Sequence, residues 1–371
     1  MTVLILMPVA TRRGGAEELL RRFVCHDAVP EEWVVAFFED GPLRRVLADH
    51  GVQTRVIQAG RLREPHRYVR TVWRIARLSQ AVGADLVFSW MPKAHLYGSW
   101  AAQWAGVPAA WYQHGAPELG WMDRLLTLQP AQAVVTCSRY VAEQQGDLWP
   151  RRPTRVVRPC VDLEQFRPEK LPSPREARAR LALPRNGPVV GMVGRMQAWK
   201  GVHTFIRAFS YIRDAHPDAH GVIVGGKHPL EPDYTEQVDE LIRDLGLEAS
   251  ISRVGHQPNV PRWMQAMDVV VHASDSEPFG MVIIEAMALQ KPVVAGASGG
   301  PREIIEAGET GLFAPYEDSD RLSTQILKLL DHPKKAREMG RAARQRALDF
   351  SADRFARRLT AALRTIADVP A

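Results

Sequence analysis

Short apolar runs alternate with stretches of helical periodicity along most of the chain. In the first half, β-branched and aromatic residues mark six strand-like runs: residues 3–7, 33–38, 52–57, 86–89, 109–112 and 134–137. Six further runs follow in the second half: residues 189–193, 221–224, 251–254, 269–272, 292–295 and 311–313. Strands that alternate with helices form parallel sheets covered by helices. The pattern therefore predicts an α/β fold in both halves.

A proline-rich, charged stretch, residues 150–188, separates the two halves. Such a segment is typical of a linker or hinge between domains. With 371 residues, the chain also exceeds the size that one hydrophobic core usually serves. We therefore predict an N-terminal domain over residues 1–165, a second domain over residues 166–350, and a C-terminal helical segment, residues 351–371, that packs back on the first domain.

The composition is that of an ordinary globular protein, with 46% hydrophobic and 24% charged residues. The apolar runs are much shorter than the roughly 20 residues that span a bilayer. The first run lacks the preceding positive charge of a secretory signal. Three scattered cysteines match neither a disulfide framework nor a zinc motif. These features predict a cytoplasmic protein.

Basic residues are concentrated in one segment of the chain. Between residues 55 and 80, seven arginines stand against one glutamate, so this segment accounts for the whole net charge of +6. Four of these arginines, which we call the arginine face, recur at spacings of three and four: Arg67, Arg70, Arg74 and Arg77. This spacing puts them on one side of a helix predicted over residues 65–82.

The arginine face has two interpretations. It is a solvated helix surface, as most charge runs are, or it binds anionic lipid headgroups or a phosphorylated acceptor. The second interpretation predicts peripheral contact with the inner face of a membrane. Nucleic acid is the weakest option, because no nucleic-acid-binding motif accompanies the segment.

A pair of glycines opens the first predicted helix. The first strand runs into a loop that contains Arg12, and Gly14 and Gly15 precede a helix predicted over residues 16–23. Glycines let the backbone approach a ligand, and a helix N-terminus offers N–H groups to an anion. A tight strand-to-helix turn explains the pair equally well. The G-x-G-x-x-G pattern of nicotinamide dinucleotide sites is absent.

A second glycine-bordered loop follows the strand predicted over residues 189–193. Here Gly194 precedes Arg195, and Lys200 follows five residues after that arginine. A planar guanidinium and a mobile ammonium together suit a diphosphate and neutralise a leaving group without a metal. Two solvated loop cations are the alternative. The loop is not a P-loop, because the G-x-x-x-x-G-K-[ST] register is absent.

Two acids stand eight residues apart after the strand predicted over residues 269–272. Glu277 lies in the loop, just before Gly280 and the start of an apolar helix that carries Glu285. Glu277 either binds a ligand or simply occupies a position near a helix start, where the helix dipole favours an acid. Glu285 is surrounded by apolar neighbours, so it needs a salt-bridge partner or a wet ligand site. His114, at the end of a first-half strand, is equally compatible with a structural or a site role.

These residues together carry a resemblance to a known family. The chain resembles retaining glycosyltransferases of the GT-B fold, and is similar to glycosyltransferase family 4. The resemblance rests on the glycines at 14–15, the loop over 194–201, and the E-x7-E pattern from Glu277 to Glu285. It implies two facing Rossmann-like, doubly wound domains with an interdomain cleft, and a C-terminal helix that crosses back to the first domain.

The resemblance also implies a role for each site residue. Arg195, Lys200, Glu277 and His114 would be the catalytic group, with Arg195 and Lys200 on the donor diphosphate and His114 near the donor sugar. The other donor-binding residues would be Gly15, Gly194, Val254, Phe279, Gly280, Met281 and Glu285. Among these, Val254 would lie near the base, and Glu285 would bind the ribose. Arg12 and Gly14 would belong to the acceptor or phosphate loop.

The implied reaction is hexosyl transfer, with retention, from a UDP- or GDP-sugar to a glycan, lipid-linked or small-molecule acceptor. No metal or other cofactor is expected. The chain departs from the family's usual wording at residues 158–162 and 225–229, which leaves the hinge and the sugar pocket undefined. A GT-B epimerase or phosphorylase, and a non-catalytic nucleotide-sugar-binding protein, are the alternatives.

Overall fold

The computed structural model describes residues 1–11, 14–27 and 31–369, so Arg12 lies outside the described residues. The chain divides into two compact units. Unit 1 comprises Met1–Cys160 together with Ala352–Ala371, and unit 2 comprises Val161–Ser351. Each unit contains one parallel sheet with helices packed against it.

The sheet of unit 1 has seven parallel strands in the order β3-β2-β1-β4-β5-β6-β7. The strands are β1 (Thr2–Met7), β2 (Glu32–Phe37), β3 (Gln53–Val56), β4 (Leu86–Ser89), β5 (Ala109–Gln113), β6 (Ala133–Thr136) and β7 (Thr154–Val156). Its first six helices are α1 (Gly15–Val24), α2 (Pro42–Asp49), α3 (Pro65–Ala81), α4 (Pro92–Ala105), α5 (Trp121–Leu128) and α6 (Arg139–Gly146). Helix α1 packs on α2, whereas α3 packs on α4 and α4 on α5.

The sheet of unit 2 has six parallel strands in the order β10-β9-β8-β11-β12-β13. The strands are β8 (Val189–Val193), β9 (His220–Val224), β10 (Ile251–Arg253), β11 (Val269–His272), β12 (Val293–Gly296) and β13 (Leu312–Ala314). The helices are α7 (Pro174–Arg180), α8 (Val202–Ala215), α9 (Tyr234–Asp244), α10 (Val260–Ala266), α11 (Met281–Ala288), α12 (Pro301–Ile304), α13 (Ser319–Leu330) and α14 (Pro333–Ala347).

The last helix, α15 (Ala352–Ala367), belongs to unit 1 and packs on α1. Its Phe355 is buried and meets Phe23 edge to face, with 5.9 Å between ring centroids. Arg364 also pairs with Glu31, whose side chain is 2% exposed. An aromatic contact and a partnered buried carboxylate thus attach the C-terminal helix to unit 1.

Local sequence explains where many of these elements begin. The central strands β1 and β11 are almost fully buried, because helices cover both faces of a parallel sheet and strand residues pack on either side. Proline stands in the first turn of α3 and α4, where its missing N–H costs nothing. Ser173 begins α7 with a capping box completed by Glu176.

The predicted α/β alternation is confirmed in both units. The predicted strands are present with boundary shifts of a few residues, and the helix predicted over residues 65–82 is α3. One strand was missed: β7 lies inside the stretch that the sequence predicts as a linker. It has three residues, two of them exposed at the sheet edge, so no apolar run marks it. Within the described residues, no helix is long and apolar enough to cross a bilayer.

Candidate active site

The centre of the unit 2 sheet is a topological switch point. Strand β8 pairs with β9 on one side and with β11 on the other. The chain leaves these two central strands into loops at the same edge, because all strands are parallel. Ligands of doubly wound sheets bind at this point, outside the carboxyl ends of the strands. The loops after β8 and β11, together with helix α11, carry eight of the thirteen predicted site residues.

The two loops are hydrogen-bonded to each other. Asp275 in the loop after β11 donates its backbone N–H to the carbonyl of Trp199, at 2.8 Å. Gly194, at the end of β8, donates to the carbonyl of Val224 in β9, at 2.9 Å. A single 3₁₀ turn, Ala198–Lys200, then aims Lys200 toward the loop after β11. Backbone contacts therefore fix the position from which Lys200 reaches across.

Lys200, Glu277 and His272 form a buried ion-pair cluster at this edge of the sheet. The Nζ of Lys200 donates to Oε2 of Glu277 at 2.6 Å, and Nε2 of His272 lies 3.1 Å from the same oxygen. The side chains are 15%, 11% and 4% exposed, respectively. Lys200 also lies over the ring of Trp199, with Nζ 3.8 Å from the centroid. The cluster thus brings together two predicted catalytic residues.

The protonation of Glu277 follows from these contacts. Burial alone would raise its pKa, but the attraction of Lys200 and the hydrogen bonds from His272 and Lys200 outweigh burial and hold the pKa well below its usual range. An ionised carboxylate accepts hydrogen bonds and has no proton to give. Glu277 is therefore an acceptor in this site, and a weak base.

Arg195 stands on the same loop as Lys200, but it is exposed. Its Nη1 lies 3.3 Å from Nε2 of His228, in the loop after β9. Because the Arg195 guanidinium is exposed and has one neighbouring imidazole, it can still form a bidentate pair of hydrogen bonds with a phosphate group.

Helix α11 begins at the position that the E-x7-E pattern indicates. Gly280 precedes it with φ of +105°, a backbone conformation that a residue with a Cβ seldom adopts. Phe279 is buried against Phe350, with 5.8 Å between centroids. Met281 is half-buried and is the first residue of the helix, so its N–H belongs to the set that no preceding turn satisfies. Glu285, one turn later, is half-buried rather than enclosed.

Val254 lies just after β10, next to the end of β9. Its N–H donates to the carbonyl of Ile223 at 3.0 Å, and its carbonyl accepts from the side chain of Gln257 at 2.6 Å. The fold therefore already uses both backbone groups of Val254. A carbonyl oxygen has two lone pairs, so one acceptor position is left for a base.

The predicted residues of unit 1 that the structure describes lie around the switch point of that unit, between β1 and β4. Gly14 and Gly15 are exposed at the start of α1. Trp90, after β4, donates its indole N–H to the carbonyl of Ala16 at 2.8 Å and accepts from Nε2 of His114 at 2.8 Å. Trp90, which the sequence did not indicate, thus ties His114 to the start of α1.

His114 is neutral at physiological pH. Its ring lies against that of Tyr112, with 4.2 Å between centroids and a tilt of 35° between the ring planes. The resulting loss of hydration lowers the pKa to about 4, and the hydrogen bond to Trp90 offsets only part of this shift. Because Nε2 donates to the Trp90 carbonyl, the proton of the neutral ring lies on Nε2.

Comparisons with known proteins identify the family. The family model described as Glycosyl transferases group 1 matches residues 174–346, and that described as Glycosyltransferase Family 4 matches residues 16–165. A D-inositol 3-phosphate glycosyltransferase of Catenulispora acidiphila is 30% identical, over 90% of this chain and 81% of its own length. The chain belongs to the group 1, family 4 glycosyltransferases.

Solved structures agree with this family. Anabaena HepE, solved in complex with UDP-glucose, is 26% identical, with a TM-score of 0.85 over 98% of this chain and 100% of its own. A glycosyltransferase of Rickettsia africae has a TM-score of 0.88 and 21% identity, over 99% and 98% of the two chains. The predicted GT-B class, with two Rossmann-like units, is confirmed, and the protein is an enzyme.

Glu231 is a residue of the glycosyltransferase site that the sequence did not reveal. Its Oε2 accepts from the backbone N–H of Ala198 at 2.7 Å, and its Oε1 accepts from the side chain of Gln197 at 3.0 Å. One carboxylate in the loop after β9 therefore holds the turn that carries Lys200. No local signal marks such a residue, because its partners lie more than 30 positions away.

We expect Glu231→Ala to weaken nucleotide binding by the glycosyltransferase about tenfold, because the turn before Lys200 loses both acceptors. Glu231→Gln, which keeps one acceptor oxygen, should recover part of the affinity. Titration calorimetry with UDP measures both variants. Glu236→Ala is the matched control, since Glu236 is an exposed acid five residues away whose contact is Lys227 at 3.5 Å. Equal losses in Glu231→Ala and Glu236→Ala would contradict a positioning role.

Metal independence remains a prediction. Within the described parts of the glycosyltransferase, no group of three or more His, Cys, Asp or Glu side chains is placed to hold a metal ion. Lys200 and Arg195 supply positive charge at the unit 2 site instead. The expectation of metal-independent transfer awaits an assay with a chelator.

Proposed function

We propose that this glycosyltransferase transfers a hexosyl group from a UDP-sugar, with retention at the anomeric carbon, to a hydroxyl of an anionic acceptor. The observation that carries the donor half of this proposal is the cluster of Lys200, Glu277 and His272 at the switch point of unit 2. It combines an ammonium for a phosphate with an ionised carboxylate for sugar hydroxyls, at the edge where α11 begins.

The donor diphosphate occupies the start of α11 in this proposal. The N–H groups of Met281 and Val282 precede the first hydrogen bond of the helix, which Ile283 donates to Gly280 at 2.9 Å, and together with the helix dipole they favour an anion there. The Lys200 ammonium has three N–H donors and uses one for Glu277, so it retains donors for a phosphate oxygen. Arg195 adds a second cation. The positive charges of Lys200 and Arg195 are already in position before the reaction, so they stabilise the departing nucleoside diphosphate.

The rest of the donor uses residues on the same elements. Glu277 accepts hydrogen bonds from hydroxyls of the donor sugar, with Phe279 and Gly280 contributing backbone groups. Glu285, half-buried on α11, accepts from the ribose hydroxyls. Val254 supplies the remaining lone pair of its carbonyl near the base.

Retention is proposed from the family resemblance, and the state of Glu277 favours a route without a covalent intermediate. A carboxylate with a strongly lowered pKa, tied to Lys200 and His272, is a weak base and a weak nucleophile. We therefore assign no covalent intermediate to it. The acceptor oxygen bonds to the anomeric carbon on the face from which the phosphate oxygen departs. The bond electrons leave with the nucleoside diphosphate, and a donor phosphate oxygen takes the acceptor proton.

The uridine base is proposed from a relative. HepE, 26% identical over nearly the whole of both chains, was solved in complex with UDP-glucose.

In unit 1, neutral His114 donates its Nε2 proton to the carbonyl of Trp90. This leaves Nδ1 of His114 as a hydrogen-bond acceptor for a ligand hydroxyl.

The anionic acceptor is proposed from a cavity of unit 1. A cavity of about 470 Å³ lies beyond the carboxyl ends of β1, β2 and β3. Arg61, Arg63 and Lys93 line it, against one acid, Glu39. Three cations to one carboxylate favour a phosphate or carboxylate group on the acceptor. The relatives named D-inositol 3-phosphate glycosyltransferases support the same choice.

Thermal unfolding with nucleotides tests the donor proposal. A ligand that binds the folded state raises Tm by mass action. We expect UDP to raise Tm and GDP, ADP and NAD to leave it unchanged. A rise in Tm with GDP alone would change the proposed donor base from uracil to guanine and leave the proposed reaction unchanged. A rise with NAD alone would contradict the proposed site. The anomeric configuration of the product, measured by NMR, then tests retention.

A further inference from the structure

Exposed tryptophans are concentrated in unit 1. Among the described residues, five tryptophans are exposed, and all of them lie in this unit: Trp73, Trp100, Trp104, Trp121 and Trp149. Trp121 and Trp149 are 74% and 76% exposed. Exposed apolar surface that is clustered, rather than scattered, marks an interaction site. The second unit shows no such tryptophan within the part that the structure describes.

Four of these tryptophans lie on three helices of one layer. Trp73 lies on α3, Trp100 and Trp104 on α4, and Trp121 on α5. Helix α4 packs on both α3 and α5, so the three helices adjoin one another on one side of the sheet. We call their outer surface the tryptophan layer. Exposed aliphatic residues add to it: Val69 on α3, and Leu125 and Leu128 on α5.

The tryptophan layer is also strongly basic. Helices α3 and α4 carry the four residues of the arginine face and Lys93, with no acid on either helix. On α5, Asp123 is balanced by Arg124. Arg67 lies 3.3 Å from Glu64, but among the described residues no carboxylate pairs with Arg70, Arg74 or Arg77. The layer therefore carries a formal charge of about +5.

A polar cavity lies at the edge of this basic surface. It has a volume of about 370 Å³ and is bounded by the loop over residues 58–60 and by Arg67, Arg70, Thr71 and Arg74. The loop is fixed to α3, since Gly60 donates its N–H to the Thr71 hydroxyl at 3.0 Å. Three guanidinium groups around one cavity favour a phosphate headgroup.

We infer that the tryptophan layer docks this enzyme on a bilayer that contains anionic lipids. Trp73 stands beside Arg74, and Val69 and Trp73 are one helical turn apart. Tryptophan prefers the headgroup level of a membrane, and clustered arginines are attracted to anionic headgroups. A second copy of this chain is a poorer occupant, because two faces of the same positive charge repel each other. The inference concerns an interaction surface and does not depend on the proposed reaction.

Vesicle co-sedimentation tests the inference. We expect the full-length protein to bind vesicles of phosphatidylglycerol and phosphatidylcholine at low salt, to bind pure phosphatidylcholine weakly, and to dissociate as salt rises. Arg70→Glu/Arg74→Glu should weaken binding by about thirtyfold or more. The loss of two basic residues at about 1 kcal/mol each accounts for about thirtyfold, at one tenfold step per 1.4 kcal/mol, and the anionic surface also repels the two added carboxylates. The matched control is Arg337→Glu/Arg341→Glu, the same charge change on two exposed arginines of α14 in unit 2.

A second pair of variants tests the aromatic contribution. Trp73→Ala/Trp104→Ala should weaken binding, and Trp149→Ala should not, because Trp149 lies outside the three helices. Quenching of wild-type fluorescence by brominated phosphatidylglycerol should be reduced in Trp73→Phe and unchanged in Trp149→Phe. Circular dichroism and Tm establish that each variant is folded.

Four outcomes would overturn the inference. They are no binding to anionic vesicles at low salt, equal binding to neutral vesicles, equal losses in the unit 2 control, and a concentration-dependent dimer that accounts for the exposed tryptophans. Binding of an oligonucleotide by the same residues, without vesicle binding, would likewise replace the lipid with nucleic acid. Binding of glycerol phosphate without any binding of vesicles would show instead that the surface is a site for a soluble phosphate compound.

Discussion

Lys200→Met is expected to lower kcat/KM about 30- to 1,000-fold, which corresponds to about 2–4 kcal/mol of lost transition-state stabilisation. The methionine keeps most of the side-chain volume but removes the charge that faces the leaving diphosphate. It also leaves Glu277, 11% exposed, with His272 as its remaining contact in the cluster. Transfer assays with a UDP-sugar measure the loss.

A double variant separates the two roles of Lys200. Glu277 is costly to bury without its partner, so part of the damage in Lys200→Met is structural. Adding Glu277→Gln removes the unpaired charge and should restore much of the lost Tm. It should not restore turnover, because the cation for the diphosphate is still missing and the carboxylate proposed for the donor sugar is lost as well. Recovery of turnover in the double variant, or unchanged activity in a folded Lys200→Met, would show that Lys200 serves only the ion pair.

Gly201→Ala is expected to destabilise unit 2 by about 3 kcal/mol and to reduce activity. Gly201 has φ of +70°, where a residue with a Cβ is strained. A Cβ there would also lie 2.1 Å from the carbonyl oxygen of Ala273, so the end of β11 or the start of α8 must move. Both Lys200 and Glu277 are within a few residues of that contact. Urea unfolding and the transfer assay measure the two effects.

Gly246→Ala is the matched control for this prediction. Gly246 has nearly the same backbone conformation, with φ of +63°, but a Cβ there would meet no atom within 4 Å. It should cost about 1 kcal/mol, from conformational strain alone, and should leave activity unchanged. If the two variants are equally destabilised, the contact with Ala273 is relieved at no cost and the rigidity argued for the Lys200 loop is wrong.

Much of the site was predictable because its signals are short-range. The E-x7-E pattern places Glu277 in a loop and Glu285 on a helix, and the structure has α11 there. The arginine spacing predicts α3 to within one residue at its end. His272 is marked by its position, because it is the one polar residue of the Val269–His272 strand and stands at the carboxyl end, where ligand sites of parallel sheets lie.

Other parts of the site had no local signal. Glu231 acts on backbone more than 30 residues earlier, and Trp90 joins α1 to His114. The same holds for the tryptophan layer. The sequence shows Trp73 next to Arg74, but the exposure of Trp73 depends on which side of α3 packs against α4. Residues with such roles are distinguished by distant neighbours, which a linear pattern does not contain.

The sequence by itself determined the order of strands and helices, the α/β class and the types of residue available for a diphosphate. These properties depend on hydrophobic period and turn chemistry within about ten residues. The meeting of Lys200, Glu277 and His272 was decided only by the tertiary structure. It requires β8 to lie beside β11, which brings Lys200 close to Glu277, 77 positions later in the chain. That strand pairing depends on how the whole sheet buries its two faces.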